Sequence, residues 1–320
     1  MPTERRSAPP HSAPAGPLLV RLCNWVGEAV LSLPTLRRLE AVGFELHLYG
    51  KGWAPSLFAG TGWPVTVRRG GVFNAVTQLR RLRATLSNSE RALLMTKSFS
   101  SALEMRLAGF SPSGYARDGR SFLLDQSYAR QRFAHAADEY WYLADRFLGV
   151  AAAAPPLLGW NPSEAQRAQA LALLAERHLD DQPFILLCPF SGTDDREDRK
   201  VWPGFKALAE KLSAAGTPVV LCPGPGEEVA AAALSSRAVS LPGVDLGVYG
   251  ALMQTAQCVV ANDTGPGHLA AASGARLVSI YGPHSVAAWT PIGPHVQLFH
   301  DAAGWPKVEQ VLTKVSSGFV

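Results

Sequence analysis

Seven consecutive residues, Asn262-Asp263-Thr264-Gly265-Pro266-Gly267-His268, carry most of the chemistry that this chain offers. They stand between the apolar runs Cys258–Ala261 and Leu277–Tyr281, each with the length and β-branched content of a buried strand. The segment therefore reads strand, tight loop, short helix, strand. Pro266 suits the first helical position, where its missing N–H has no intrahelical partner. The glycines leave the backbone open where the helix begins, and free amides at the positive end of a helix dipole form a ready anion site. Asp263 would repel a bare phosphate unless it accepts from a hydroxyl or orients His268. A ligand with both a phosphate and a polyol, as in a sugar nucleotide, satisfies both halves of the loop. The alternative is an ordinary Asx-type turn capping a core helix, against which stands the convergence of His, Asp, Thr and two Gly on seven positions.

Three more loops follow apolar runs in the second half. Ser191-Gly192-Thr193 leads through Asp194-Asp195-Arg196-Glu197-Asp198 to Arg199-Lys200-Val201-Trp202-Pro203. Its hydroxyls, Thr193 included, and the amine of Lys200 suit a diphosphate. The Asp194-Asp195 pair lies among Arg and Lys without a strand before it, and reads as a solvated acidic loop rather than a metal motif. Gly224-Pro225-Gly226-Glu227-Glu228 allows close backbone approach and offers a carboxylate to ribose hydroxyls. Gly282-Pro283-His284-Ser285 follows the last strong strand. In the first half, Cys23-Asn24-Trp25-Val26-Gly27-Glu28 follows the first strand. Its single glycine gives neither the dinucleotide fingerprint nor a P-loop, which argues against a nicotinamide dehydrogenase and a nucleoside triphosphatase. Glu28, near a helix start, is either an acid favoured by the dipole or a general base facing a ligand.

The elements that must position these loops alternate along the chain, the pattern of an α/β protein with parallel sheets. Strands are expected at Leu18–Leu22, Glu45–Tyr49, Val65–Val67 and Ala92–Thr96, with helices over Trp25–Val42 and Phe73–Leu86. After a Pro-containing break at Ala151–Trp160 the alternation restarts. It runs through a helix at Ser163–Arg177, a strand at Phe184–Cys188, a helix at Trp202–Ala214 and a strand at Pro218–Cys222. The reading is a disordered leader over 1–16, a first domain over 17–155 and a second over 156–320, with the last helix free to pack back on the first domain. Two doubly wound sheets would face a cleft with their carboxyl ends, where open α/β sheets bind ligands.

The 320 residues suffice for two domains, and 47% hydrophobic with 18% charged residues describes a soluble globular protein. Apolar runs stop well short of the roughly 18 residues of a membrane span. The first sixteen residues lack the apolar core of a signal peptide, so a cytoplasmic protein is expected. Cys23, Cys188, Cys222 and Cys258 are too dispersed for a metal knuckle and read as buried thiols. Charge is uneven: residues 1–150 hold 19 Lys and Arg against 11 Asp and Glu, a balance of +8, while 151–320 hold 11 against 15, a balance of −4. A basic half attracts an anionic partner. Nucleic acid is not expected, because exposed aromatics for base stacking are not interleaved with the arginines.

The combination of Asn24-Trp25-Val26-Gly27-Glu28 with Leu33-Pro34-Thr35-Leu36, Lys200-Val201-Trp202-Pro203, Gly224-Pro225-Gly226-Glu227, the Asn262–Ala272 block and Tyr281-Gly282-Pro283 resembles the ADP-heptose:lipopolysaccharide heptosyltransferase family. The likeness runs from about Leu18 to Pro294. It implies a GT-B glycosyltransferase, two Rossmann-like doubly wound parallel-sheet domains facing a central cleft, acting as an inverting heptosyltransferase without metal or other cofactor. The resemblance puts Lys200, Thr193, Glu227, Asp263, Thr264, Gly265 and His268 on the ADP-sugar donor and Glu28 in the role of base. Asn24, Trp25, Arg68 and Arg69 fall on the side of the acceptor, an anionic glycolipid (Kdo or heptose) at the inner membrane surface. Three departures stand out. Glu28 replaces the family's usual Asp, Gly267 replaces a bulkier apolar residue and is expected to loosen the loop, and the cysteine cluster of iron-containing autotransporter heptosyltransferases is missing. The alternatives are another GT-B transferase or a nucleotide-sugar epimerase with a different donor, and a sugar-nucleotide-binding protein with little turnover.

Overall fold

The computed structural model describes residues 16–87, 89–190, 201–283, 287–301 and 303–317. The expected leader thus falls almost entirely outside the described residues. The chain forms two compact units, each built on a six-stranded parallel sheet.

The first sheet contains β1 (Pro17–Arg21), β2 (Glu45–Gly50), β3 (Val65–Val67), β4 (Arg91–Leu94), β5 (Ser111–Tyr115) and β6 (Gln126–Tyr128), in the order β3-β2-β1-β4-β5-β6. This is the doubly wound order 3-2-1-4-5-6, in which the winding reverses between β1 and β4. Right-handed crossovers then put the helices that follow β1 on one face and those that follow β3 and β4 on the other. The helices of this half are α1 (Val26–Leu31), α2 (Leu33–Ala41), α3 (Ala54–Phe58), α4 (Val72–Thr85), α5 (Phe99–Leu107) and α6 (Ala136–Leu148). Leu19, Tyr49 and Leu94 of the sheet pack with Leu79 of α4, Met105 of α5 and Phe110 in the core of the α4–α5 face.

The single helix expected over Trp25–Val42 is broken at Ser32. Pro34 enters the first turn of α2, and with no N–H it cannot extend the ladder from α1. The break is also where the chain changes unit: Trp25–Leu31 belong to the second unit and Ser32 returns to the first. Pro55–Gly62 cross over in the same way. The indole N–H of Trp160 donates to the Leu57 carbonyl at 2.7 Å and the Gln166 amide to the Ser56 carbonyl at 2.9 Å. A Cβ on Gly60 would lie 2.3 Å from the Asn161 carbonyl oxygen, so the two segments are in direct backbone contact.

The second unit holds α7 (Glu164–Glu176), β7 (Ile185–Cys188), α8 (Phe205–Ala214), β8 (Val219–Leu221), α9 (Glu228–Leu234), β9 (Val239–Ser240), α10 (Leu246–Thr255), β10 (Cys258–Asn262), α11 (Gly265–Ala272), β11 (Leu277–Tyr281), β12 (Val296–His300) and α12 (Val308–Ser316). Its sheet order, β12-β11-β10-β7-β8-β9, repeats that of the first sheet. Ile185, Leu187, Val260 and Ile280 meet Phe205 and Leu212 of α8 in its core. The last helix packs within the second unit. Val311 and Val315 of α12 are buried in the second core, because the amphipathic stripe of α12 matches α8 and the sheet beside it. Among the described residues no helix is long and apolar enough to cross a membrane.

Candidate functional site

β10 is buried along its whole length and delivers Asp263 to the carboxyl end of the second sheet. Thr264 caps α11 with extended backbone angles, but its hydroxyl makes no bond to a first-turn amide. Pro266 therefore stands second in the helix, not first, and the first turn keeps amides for an outside acceptor. Gly267 lies inside this turn, where a Cβ would come within 3.1 Å of the Asn262 carbonyl oxygen. The small residue lets the turn close on the end of β10.

Asp263 and His268 are buried at 9% and 4% exposure. The Asp263 carboxylate is within hydrogen-bonding reach of the Tyr281 phenol, which donates to the Trp289 carbonyl at 2.6 Å. Burial first, and this carboxylate second, hold the phenol far above its ordinary range. Tyr281 is thus a fixed wall beside Asp263, a role that its place at the end of an apolar run did not disclose.

Asn262 is wholly buried, and both ends of its side chain are taken up by backbone groups. Its amide nitrogen donates to the Pro189 carbonyl at 2.7 Å, and its oxygen accepts from the Trp202 backbone N–H at 2.9 Å. One side chain thereby ties down both flanks of the Ser191–Lys200 stretch. Thr193, Lys200 and the Asp194-Asp195 pair lie within that stretch, and His284 and Ser285 in another, all outside the described residues.

The loop before α9 is closed by its own carboxylates. Glu227 accepts from the Gly224 N–H at 2.8 Å and Glu228 from the Gly226 N–H at 2.9 Å, with Gly226 in the left-handed region at φ +88°. Cys188, at the end of β7, lies near Glu227 and accepts from the Tyr249 hydroxyl at 2.9 Å. Burial pushes the Cys188 thiol up to about 12, so it is an inert packing group. Among the described residues no three His, Cys, Asp or Glu side chains converge as a metal-ligand set.

Glu28 reaches this unit through α1. A Cβ on Gly27 would sit 2.7 Å from Cδ2 of His268, and one on Gly265 would sit 3.1 Å from Cβ of Val26. The two glycines let α1 lie against the start of α11 at near-backbone distance. Glu28, half-buried and adjacent to Gly27, is therefore held in the same body as Asp263, Thr264 and His268. The two loops singled out in the sequence, one near each end of the chain, are neighbours.

The residues assigned to the acceptor are distributed differently. Trp25 is 65% exposed. The Asn24 side-chain oxygen accepts from Arg21 at 3.0 Å. Arg68 grips the buried Glu104 through two hydrogen bonds, at 3.0 and 2.6 Å, and that bonding raises its pKa. Arg69 projects into solvent. A second buried carboxylate, Glu139, accepts from Arg130 at 2.7 Å and from Lys97 at 2.9 Å. Burial alone would raise the Glu139 carboxyl, but these hydrogen bonds reverse the shift and hold it below its ordinary value. Arg21, Arg68 and Glu104 form one net-positive cluster at the carboxyl ends of the first sheet, and Lys97, Arg130 and Glu139 form another. Glu104 and Glu139 escaped sequence reasoning, since each looked like one more solvated charge on a helix.

Two doubly wound parallel sheets, with a glycine-opened helix start after the fourth strand of the second, make the two-domain fold of the GT-B type. The model of Glycosyltransferase family 9 (heptosyltransferase) matches residues 79–316, well over half of the chain, and the chain belongs to that family. No curated protein is matched by sequence. Among solved structures, ADP-heptose LPS heptosyltransferase II of E. coli is similar with a TM-score of 0.77 and 23% identity, over 93% of this chain and 97% of that one. A glycosyltransferase family 9 protein from Veillonella parvula gives a TM-score of 0.79 at 17% identity, over 92% and 88% of the two chains. E. coli heptosyltransferase WaaC with ADP gives 0.66 at 18% identity, over 88% and 92%. These likenesses show the fold.

Proposed function

We propose that this glycosyltransferase transfers heptose from ADP-heptose to a Kdo or heptose hydroxyl of an anionic lipopolysaccharide core, with inversion at the anomeric carbon. The observation that carries the reading is the packing of α1 on α11, which joins a carboxylate suited to a base with a helix start suited to a diphosphate. An ADP-sugar donor is supported by the WaaC structures, described with ADP and with ADP-2-deoxy-2-fluoro heptose.

In this reading Glu28 takes the proton of the acceptor hydroxyl as its oxygen attacks the anomeric carbon from the face opposite the diphosphate. The bond from that carbon to the diphosphate oxygen breaks, and its electron pair leaves with ADP. First-turn amides of α11 and, by resemblance, Lys200 and Thr193 meet the developing charge. Asp263 accepts from sugar hydroxyls, and Glu227 from the ribose. His268 supports the same loop, and neither metal nor cofactor takes part. The basic first half, Arg69 foremost, draws an acceptor held at the cytoplasmic face of the inner membrane.

Glu28→Gln tests the assignment. With purified donor and acceptor, turnover should fall roughly 10²–10⁴-fold while donor affinity is retained. Were Glu28 only a capping acid, the substitution would cost about 0.3–1 kcal/mol of stability and leave the rate near wild type. Near-normal turnover would end the claim. Glu28→Asp refines it: undiminished activity would mean that the site still fits the family's shorter base.

A further inference from the structure

Three phenylalanines stand out from the first unit. Phe73 is 89% exposed, Phe122 74% and Phe99 39%. Single exposed apolar side chains are ordinary, but these share one end of one sheet. α4 and α5 run side by side in the same direction, since Arg80 donates to the Leu107 carbonyl at 2.9 Å and Arg83 to the Gly109 carbonyl at 2.8 Å. Arg80 follows Phe73 by about as many residues as Leu107 follows Phe99, so the two phenylalanines lie level in the first turns of adjacent helices. Packed helices are about 8–10 Å apart, which sets their separation. Phe122, in the turn after β5, joins Phe99 with ring centroids 6.0 Å apart. All three follow the carboxyl ends of β3, β4 and β5.

The charge around them has one dominant sign. Arg69, Arg117, Arg130 and Arg132 are exposed in loops leaving the same ends of β3, β5 and β6. Of the acids in the neighbouring elements, Glu104 and Glu139 are buried and bound by arginines, and Asp118 is paired with Arg117 at 3.4 Å, leaving Asp138 exposed and Asp125 exposed beside the opposite, amino end of β6. Protruding aromatic rings with arginines at the same end of the sheet match the two layers of a bilayer surface: anionic headgroups outside, acyl chains just beneath. We propose that Phe73, Phe99 and Phe122 enter the interface of an anionic bilayer while the surrounding arginines meet its lipid phosphates. This deepens the membrane-borne acceptor of the preceding subsection but rests on the geometry of the first unit.

The test is cosedimentation of the full chain with vesicles of phosphatidylcholine alone or mixed with phosphatidylglycerol. Wild type should bind the mixed vesicles far better, and F73S/F122S should lower that partition by about tenfold or more. F73W should gain emission that is quenched by lipids brominated on the acyl chains. Equal partition of wild type and F73S/F122S, or no binding to the mixed vesicles, overturns the proposal. So does self-association in sedimentation velocity that F73S/F122S abolishes, which would make the surface a protein interface. Transfer to a deacylated acceptor in solution should be unchanged in F73S/F122S. A wild-type chain that binds vesicles yet transfers nothing to that acceptor overturns the function reading and supports this one.

Discussion

Replacing Gly27 by Ala asks whether the contact between α1 and α11 sets the chemistry or merely fills space. The added methyl would lie 2.7 Å from Cδ2 and 3.3 Å from Nε2 of His268, where ordinary contact begins at 3.4 Å. Something must therefore move by about 0.7 Å. The ring is at the end of a side chain, yet His268 is only 4% exposed and has nowhere free to swing. Overpacking of this kind costs about 1–3 kcal/mol. Alanine also gains about 0.5–1 kcal/mol over glycine inside a helix. The net loss of stability should be about 0–2.5 kcal/mol by these figures, a modest shift in a urea titration. The rate should respond more strongly, because misplacement of reacting groups by about 1 Å can cost on the order of 100-fold. We therefore expect G27A to fold, to lose no more than about 2.5 kcal/mol of stability, and to lose about 10–100-fold in kcat/KM. A fully folded G27A with wild-type kinetics would refute the reasoning, since the proposed base and the proposed donor loop would then not depend on this packing.

Asp263→Ala should weaken ADP-heptose binding by about 1–3 kcal/mol by calorimetry if sugar hydroxyls lose their acceptor; unchanged affinity would remove Asp263 from the donor site. Asn262→Ala strands the Trp202 N–H and the Pro189 carbonyl, and should destabilise the chain by about 2–5 kcal/mol in urea. Asn262→Asp keeps the first bond but sets an oxygen against the Pro189 carbonyl, so it too should be destabilised, and wild-type stability in both variants would dismiss the clasp. The acceptor KM should rise with salt as the Debye length shrinks from about 10 Å at 0.1 M to about 3 Å at 1 M. An acceptor KM indifferent to salt would show that charge does not steer this half.

Sequence periodicity revealed the strands made of β-branched or leucine-rich runs, such as β7, β10 and β11, because each is buried on both faces and cannot tolerate polar residues. It missed β5, whose sequence Ser-Pro-Ser-Gly-Tyr holds none of the residues that favour strands except its last. There tertiary context decides: β5 is clamped between β4 and β6, and Gly114 leaves room for the guanidinium of Arg120. That arginine is wholly buried, donates to the Tyr115 and Ser98 carbonyls, and is pushed down to about 10 by burial. Nothing in its local sequence separates it from the solvent-exposed arginines nearby. The Asn262–His268 loop could be singled out because its residues are contiguous. The clasp of Asn262, the wall of Tyr281 and the carboxylate partner of Arg68 join residues far apart in the chain, and spacing alone cannot display them.

The crossing of Trp25–Leu31 into the second unit changes what counts as a replaceable module. A chimera cut at the Pro155-Pro156 linker, meant to exchange acceptor preference alone, would also import a foreign Trp25–Leu31 segment. The proposed base would come with it, and a residue larger than glycine at position 27 would collide with the resident His268. Grafts that keep residues 25–31 native, or exchange Gly27 and His268 as a pair, should retain turnover where simple linker fusions lose it. Heredity faces the same constraint. A change anywhere else in the first unit leaves this seven-residue insert alone, whereas a change within it is felt by the other unit.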